Sequence, residues 1–296
     1  MTARVLIPGL AGITFVPLVP FPLKKRKIDI AVISDIHLGR PECQAEALLA
    51  YLSSIDPDVL VINGNLMDIQ SPVAEYFPPT HIQVLRKILN LSAKGIRVYY
   101  LSSYQDHWAR KCHGARMGPI EIKDQLVLEL HGSKTWILPG DRLSMAHGFA
   151  GTLAGLGALG CWLLRALNRL RSWRQPGLPA TGSKAQEDAF TNTVCRQAIR
   201  KGYDTVICGH THAPAKELRE TSHGRCLYLN SGDWISHMTA LEYAFKRWKV
   251  YRYSEDKLSA FYADEELKAM DLNALLASIL IQKEKPLQGG EKARLD

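Results

Sequence analysis

No two cysteines in this 296-residue chain are spaced C-x-x-C. Its six cysteines, Cys43, Cys112, Cys161, Cys195, Cys208 and Cys226, are scattered. That distribution disfavours a zinc cluster and a disulfide framework, and leaves free thiols in a reducing compartment as the expectation. There is no internal repeat, no low-complexity tract and no basic-aromatic stripe, and without such a stripe a nucleic-acid partner is disfavoured. There is also no clean membrane span. Val5 to Leu23 is almost wholly apolar and approaches the length of one, but Pro8, Pro17, Pro20 and Pro22 would break a helix there. Only Arg4 precedes the run, and no small-residue cleavage site follows it. Residues 1–26 are therefore expected to form an irregular arm. It either packs on the domain or touches a membrane, with Lys24-Lys25-Arg26-Lys27 facing anionic headgroups.

What the chain does contain is ordinary for a soluble globular protein: 46% hydrophobic and 22% charged residues. A net charge of +8 and a pI of about 9.1 favour acidic partners without choosing among phosphate esters, anionic lipid and nucleic acid. Short β-branched runs at Ile28–Ser34, Asp58–Asn63 and Arg97–Ser102 read as buried strands. Helical spacing near Gln44–Ser54 and over His81–Ala93 separates them, giving β-α-β-α-β. A hairpin follows at Leu126–Leu130 and Thr135–Leu138, then a short strand Arg142–Ala146. Ala154–Trp173 reads as a helix, Gln175–Ser183 as a Pro/Gly/Ser break and Glu187–Lys201 as another helix. Strands return at Thr205–Cys208, Cys226–Leu229 and Trp248–Tyr253, before a helical tail over Leu258–Lys283. The expected division is an arm (1–26), one domain (27–256) with a helical cap near 148–200, and a C-terminal helix and tail (257–296).

Two motifs sit just past strands: Asp35-x-His37 and His210-Thr211-His212. In extended backbone, residues i and i+2 project to one side, so each pair can offer two donors to one point. Carboxylate plus imidazole suits Mn, Fe or Zn, and open α/β sheets build sites beyond the carboxyl ends of their strands. His147, at another strand end, is a further candidate. Alone, each motif is common, and a single histidine is more often a satisfied core residue.

Taken in order, Asp35-x-His37, Gly64-Asn65-x-x-Asp68, His147-Gly148, Gly209-His210-Thr211-His212 and Asn230-Ser-Gly-Asp-Trp234 resemble the calcineurin-like metallophosphoesterases. The closer likeness is to the bacterial UDP-2,3-diacylglucosamine hydrolase group. The resemblance runs from about Lys27 to Tyr253. It implies an α/β sandwich of two β-sheets flanked by helices, with an inserted helical cap and two divalent metals at the strand ends that activate water for attack on phosphorus. Onto this chain it carries Asp35, His37, Asn65 and His212 for the first metal, and Asn65, His147 and His210 for the second. The cap's leucines (Leu153, Leu156, Leu159, Leu163, Leu164, Leu167) would hold acyl chains, with Arg165 and Arg169 meeting phosphates; the other reading of this stretch is an amphipathic helix packed on the core.

Three positions depart from the family's pattern. Asn65 stands where a bridging Asp is expected, and a neutral amide bridges two cations poorly. Tyr104 replaces an Asn ligand, and Gln105 replaces the catalytic His and cannot act as an acid near neutral pH. Loss of a general acid typically costs about 100- to 10,000-fold. The sequence therefore predicts one divalent metal, such as Mn, with the second site in doubt, and weak or lost phosphoesterase activity. A binding role toward a phosphorylated lipid, a nucleotide-sugar or a protein partner takes its place, in the cytoplasm and at the inner face of the membrane. The alternative is an active metal-dependent hydrolase of a phosphate ester or pyrophosphate bond in a lipid-linked substrate at the membrane surface.

Overall fold

The computed structural model describes residues 25–68, 76–104, 106–141, 184–209 and 211–257. The expected strand 142–146, the cap helix 154–173 and the tail helix 258–283 lie outside them. So do His147, Arg165, Arg169, Gln105 and His210.

Two β-sheets pack face to face. The first strand, β1 (Arg26–Ile33), lies parallel to β2 (Ile55–Asn63), and β2 lies parallel to β3 (Arg97–Leu101). Their crossovers carry α1 (Ala45–Ser54) and α2 (Pro79–Ala93). After the single turn α3 (His107–Arg110) come β4 (Arg116–Met117) and β5 (Ile120–Lys123), which complete one edge of this sheet. A hairpin of β6 (Leu126–Leu130) and β7 (Ser133–Leu138) opens the second sheet. The helix α4 (Lys184–Arg200) precedes β8 (Thr205–Cys208), β9 (Ala215–Thr221) and β10 (Gly224–Asn230). The chain then returns to the first sheet with β11 (Thr239–Ala244) and β12 (Arg247–Arg252). The orders are β12-β11-β1-β2-β3-β5-β4 and β6-β7-β8-β10-β9.

The sequence explains why the central strands hold this position. On a pleated strand alternate side chains face opposite ways. In β2, Leu60 and Ile62 face α1 and α2, while Val59 and Val61 face the second sheet. In β3, Val98 and Tyr100 divide from Tyr99 and Leu101 in the same way. In β8, Ile207 points to the inter-sheet core while Val206 and Cys208 meet Val194, Cys195 and Ala198 of α4. Strands covered on both faces need continuous apolar runs. Each fully buried aliphatic side chain contributes about 1.5–3 kcal/mol. The layers are therefore helix, sheet, sheet, helix, and α4, which the sequence suggests closes the cap, packs its apolar face on the second sheet.

Two of the basic residues expected to face headgroups are engaged by the domain itself. Arg26 Nη1 lies 3.1 Å from Glu242 Oε1, and its guanidinium sits over the Tyr251 ring. Lys27 Nζ lies 2.6 Å from Asp58 Oδ1. Among the described residues, no helix is long and apolar enough to cross a membrane.

Candidate metal centre

Strands β1, β2 and β3 of one sheet and β7, β8 and β10 of the other each run parallel within their sheet. Their carboxyl ends gather the loops that begin at Ser34, Gly64, Ser102, Gly209 and Ser231. Hydrogen bonds cross between the loops. Asn63 Nδ2 donates to the Leu138 carbonyl (3.1 Å) and Ser34 Oγ to the Gly232 carbonyl (2.8 Å). The Trp234 amide donates to the Asp35 carbonyl (3.2 Å).

In this frame Asp35, His37 and His212 converge, each offering one ligating atom within 4.8 Å of the others. Asp35 and His37 are 1% and 5% exposed, and His212 Nε2 is 3.7 Å from Asp35 Oδ1. The two imidazoles lie nearly parallel, with ring centroids 5.7 Å apart. The D-x-H pair does not converge by the pleat of an extended strand. Asp35 and His37 both take left-handed backbone (φ 50° and 55°), as do Asn65 (51°) and His212 (58°). The turn brings the Ile36 and His37 amides onto one acceptor, the Asn65 carbonyl, at 3.0 and 2.9 Å.

Asn65 sits beside Asp35 with its amide group committed. Its Nδ2 donates to Asp35 Oδ1 (2.8 Å) and its Oδ1 lies 2.7 Å from Ser103 Oγ. Asp106 Oδ2 accepts from the Asn65 and Ser103 amides and lies 2.7 Å from the same hydroxyl. Ser103 has one hydroxyl proton for two acceptors. Tyr104 is 41% exposed, with its ring under the Arg110 guanidinium, and its amide donates to Asp141.

Two carboxylates that the sequence reading did not place in the site stand behind its histidines. Asp233 Oδ2 is 3.4 Å from His212 Nδ1 and 3.0 Å from His237 Nδ1. Asp68 pairs with Arg40 and lies 3.9 Å from His37 Nδ1. The acids were visible within the quoted motifs. Their contacts were not, because they depend on how the loops pack.

The surroundings set the charge states. Burial pushes the His37 pKa down against the opposing pull of Asp35, which favours the neutral, ligating imidazole. Burial works on His212 in the same direction, but the hydrogen bond to Asp233 and the charge of Asp35 outweigh it and raise its pKa. Asp233 is held below the usual carboxylate range: burial alone would raise it, and the His212, His237 and backbone donors win.

A divalent metal fits this set. His37 Nε2 is buried without a hydrogen-bond partner, an unfavourable arrangement for a polar atom unless a ligand completes it. One carboxylate and two imidazoles are ordinary donors for Mn, Fe or Zn.

No family model matches the chain. A UDP-2,3-diacylglucosamine hydrolase of Edwardsiella ictaluri (strain 93-146) is 30% identical over 220 residues, which are 69% of this chain and 84% of that protein. Another, of Aliivibrio fischeri (strain MJ11), is 24% identical over 242 residues, 75% of this chain and 98% of that protein. Among solved structures, an archaeal phosphodiesterase matches 75% of this chain and 98% of its own at 16% identity, with a TM-score of 0.39.

Proposed function

The chain belongs to the UDP-2,3-diacylglucosamine hydrolase family, and from that membership we propose that it binds a lipid-linked nucleotide-sugar or a similar phosphorylated lipid at a one-metal centre, with weak or lost phosphoesterase activity. Asp35, His37 and His212 would hold the metal, Mn being well suited to these donors. Bound there, a divalent ion supplies Lewis acidity toward a phosphoryl oxygen.

The observation that carries this reading is the hydrogen bonding of Asn65. Its Nδ2 faces Asp35 and its Oδ1 faces Ser103, so its side chain buttresses a ligand with a neutral donor. A bridging role would need an anionic oxygen at that place. The outward Tyr104 ring agrees, since phenol offers little to a hard cation at neutral pH. Asp35 stays oriented for one ion, and phosphate binding survives while the two-ion clamp of metal-assisted hydrolysis is weakened. Contact with a membrane surface belongs to the same proposal, since a lipid-linked ligand lies there. Placement in the cytoplasm goes with it, since the free thiols of Cys43, Cys112, Cys195, Cys208 and Cys226 suit a reducing compartment.

Elemental analysis after equilibration with excess manganese and gel filtration should give about one metal per chain, roughly the complement that a site of three or four protein donors holds. Manganese-dependent hydrolysis of UDP-2,3-diacylglucosamine should be slow or undetectable. It should rise when Asn65→Asp, Tyr104→Asn and Gln105→His are combined. Two metals per chain with turnover at an ordinary enzymatic rate would instead establish an active hydrolase with a rebuilt site.

A further inference from the structure

We propose that Asp233 is the positioning residue that makes His212 a metal ligand, by fixing which of its ring nitrogens carries the proton. The inference rests on the metal-centre reading of Asp35, His37 and His212.

A neutral imidazole has one N–H and one lone pair, and only the lone pair can bind a metal. His212 Nδ1 faces Asp233 Oδ2 at 3.4 Å, and its Nε2 faces Asp35 at 3.7 Å. A carboxylate can only accept. The proton is therefore drawn to Nδ1, and the lone pair is left on Nε2, toward the other ligands. Carboxylates behind metal-bound histidines serve this purpose generally, and their removal costs about 10- to 100-fold in metal affinity.

Asp233 is itself rigidly held. Its Oδ1 accepts the amides of Ile235, Ser236 and His237 at 3.1, 2.7 and 2.8 Å. The preceding Gly232 amide donates to Asn230 Oδ1 at 2.8 Å, and the following Trp234 amide reaches the Asp35 carbonyl at 3.2 Å. Three backbone donors on one oxygen leave the other oriented toward the imidazoles. His237 shares Oδ2 but is 44% exposed at its side chain, so it can turn away without disturbing the site.

This geometry makes Asp233→Asn an informative substitution. The amide oxygen can keep the three backbone bonds while an NH2 group replaces Oδ2. That group donates, so His212 Nδ1 must accept, and the proton moves to Nε2 where it blocks coordination. The same exchange behind a catalytic histidine is known to trap the wrong tautomer.

The test compares the full-length chain with its Asp233→Asn and His237→Ala variants by manganese titration. Asp233→Asn should bind manganese about 10- to 100-fold more weakly; His237→Ala should bind as the unmodified chain does. Histidine 15N spectra of metal-free protein, recorded at a pH above the titration of His212 and assigned with His212→Gln, should show an Nδ1–H tautomer that becomes Nε2–H in Asp233→Asn. A merely structural role would leave that tautomer unchanged. Equal manganese affinities, or an unchanged tautomer, would overturn this inference and leave the metal centre standing. Failure of the unmodified chain to bind manganese would remove both.

Discussion

Replacing Asn65 with Asp should separate stability from metal binding in a measurable way. In the metal-free protein Asn65 Nδ2 donates to Asp35 Oδ1 at 2.8 Å, and Asp35 is 1% exposed. The substitution removes a hydrogen bond to a charged group, worth about 1.5–3 kcal/mol. It also sets two carboxylates side by side. At a separation of roughly 4 Å and an effective dielectric of about 20, their repulsion is about 4 kcal/mol, and relaxation of the loop lowers that figure. The net destabilisation should be about 3–6 kcal/mol. In a domain of this size each kcal/mol moves the unfolding midpoint by about 2–4 °C, so Asn65→Asp in chelator should melt roughly 6–24 °C lower. Manganese reverses the sign of the new charge's effect, because two carboxylates that repel one another both attract a cation. At about 100 times the dissociation constant, a bound ion returns about 2.7 kcal/mol. The assay is thermal unfolding by circular dichroism with chelator and with graded manganese. A midpoint in chelator within about 1 °C of the unmodified chain would refute the electrostatic reasoning, since it would mean that Asp35 and position 65 do not face each other.

Other perturbations probe the frame around the site. Gly232→Ala meets both a positive φ of 74° and a Thr239 Oγ1 that would stand 2.0 Å from the new Cβ; it should cost about 2–4 kcal/mol in urea unfolding, and a loss under about 0.5 kcal/mol would contradict the packing of this loop. Leu60→Ala, at a fully buried position against α1 and α2, should cost about 2–5 kcal/mol by the same measurement. His81 is 2% exposed, accepts the Gly39 amide on Nδ1 and is edged by Tyr76 and Phe77. Burial holds its pKa below 6.5, so the unfolded chain takes up the proton first. Its stability contribution is present above about pH 6.5 and is lost as pH falls toward the folded-state value. A His81→Gln variant should show a shallower fall in stability over that acid range, and parallel curves would exclude this role.

The central strands were legible because burial on both faces forces unbroken apolar runs: Ile28–Ser34 and Arg97–Ser102 differ from the observed β1 and β3 by only one or two residues at an end. Strands with weaker constraints were not. In β9, Ala-Lys-Glu-Leu-Arg-Glu-Thr is an exposed sheet edge held by backbone pairing with β10, and its side chains carry no apolar alternation. Strands β4 and β5 are short and at best half-buried, while β11 reads Thr-Ala-Leu-Glu-Tyr-Ala without a β-branched run. The site divides along similar lines. Asp35, His37 and His212 could be named from residue type and position after strands. Asp233 could not, because its meeting with His212 follows from the parallel register of β10 on β8, where Leu229 lies beside Ile207. A one-dimensional pattern shows that an acid follows a strand and leaves out which histidine the neighbouring strand will deliver to it.

The left-handed backbone at Asn65 bears on how such a protein can change over generations. Asn and Asp are the two side chains besides glycine that enter this conformation most readily, and they are nearly the same shape. An exchange between them here keeps the loop's path and replaces the amide donor beside Asp35 with a second carboxylate. Without a bound cation the step to Asp costs folding stability, because it sets a second carboxylate against Asp35, so a lineage can take it most easily where a metal offsets the added charge. Stability and metal occupancy are thus tied together at this position, and neither can drift far without the other.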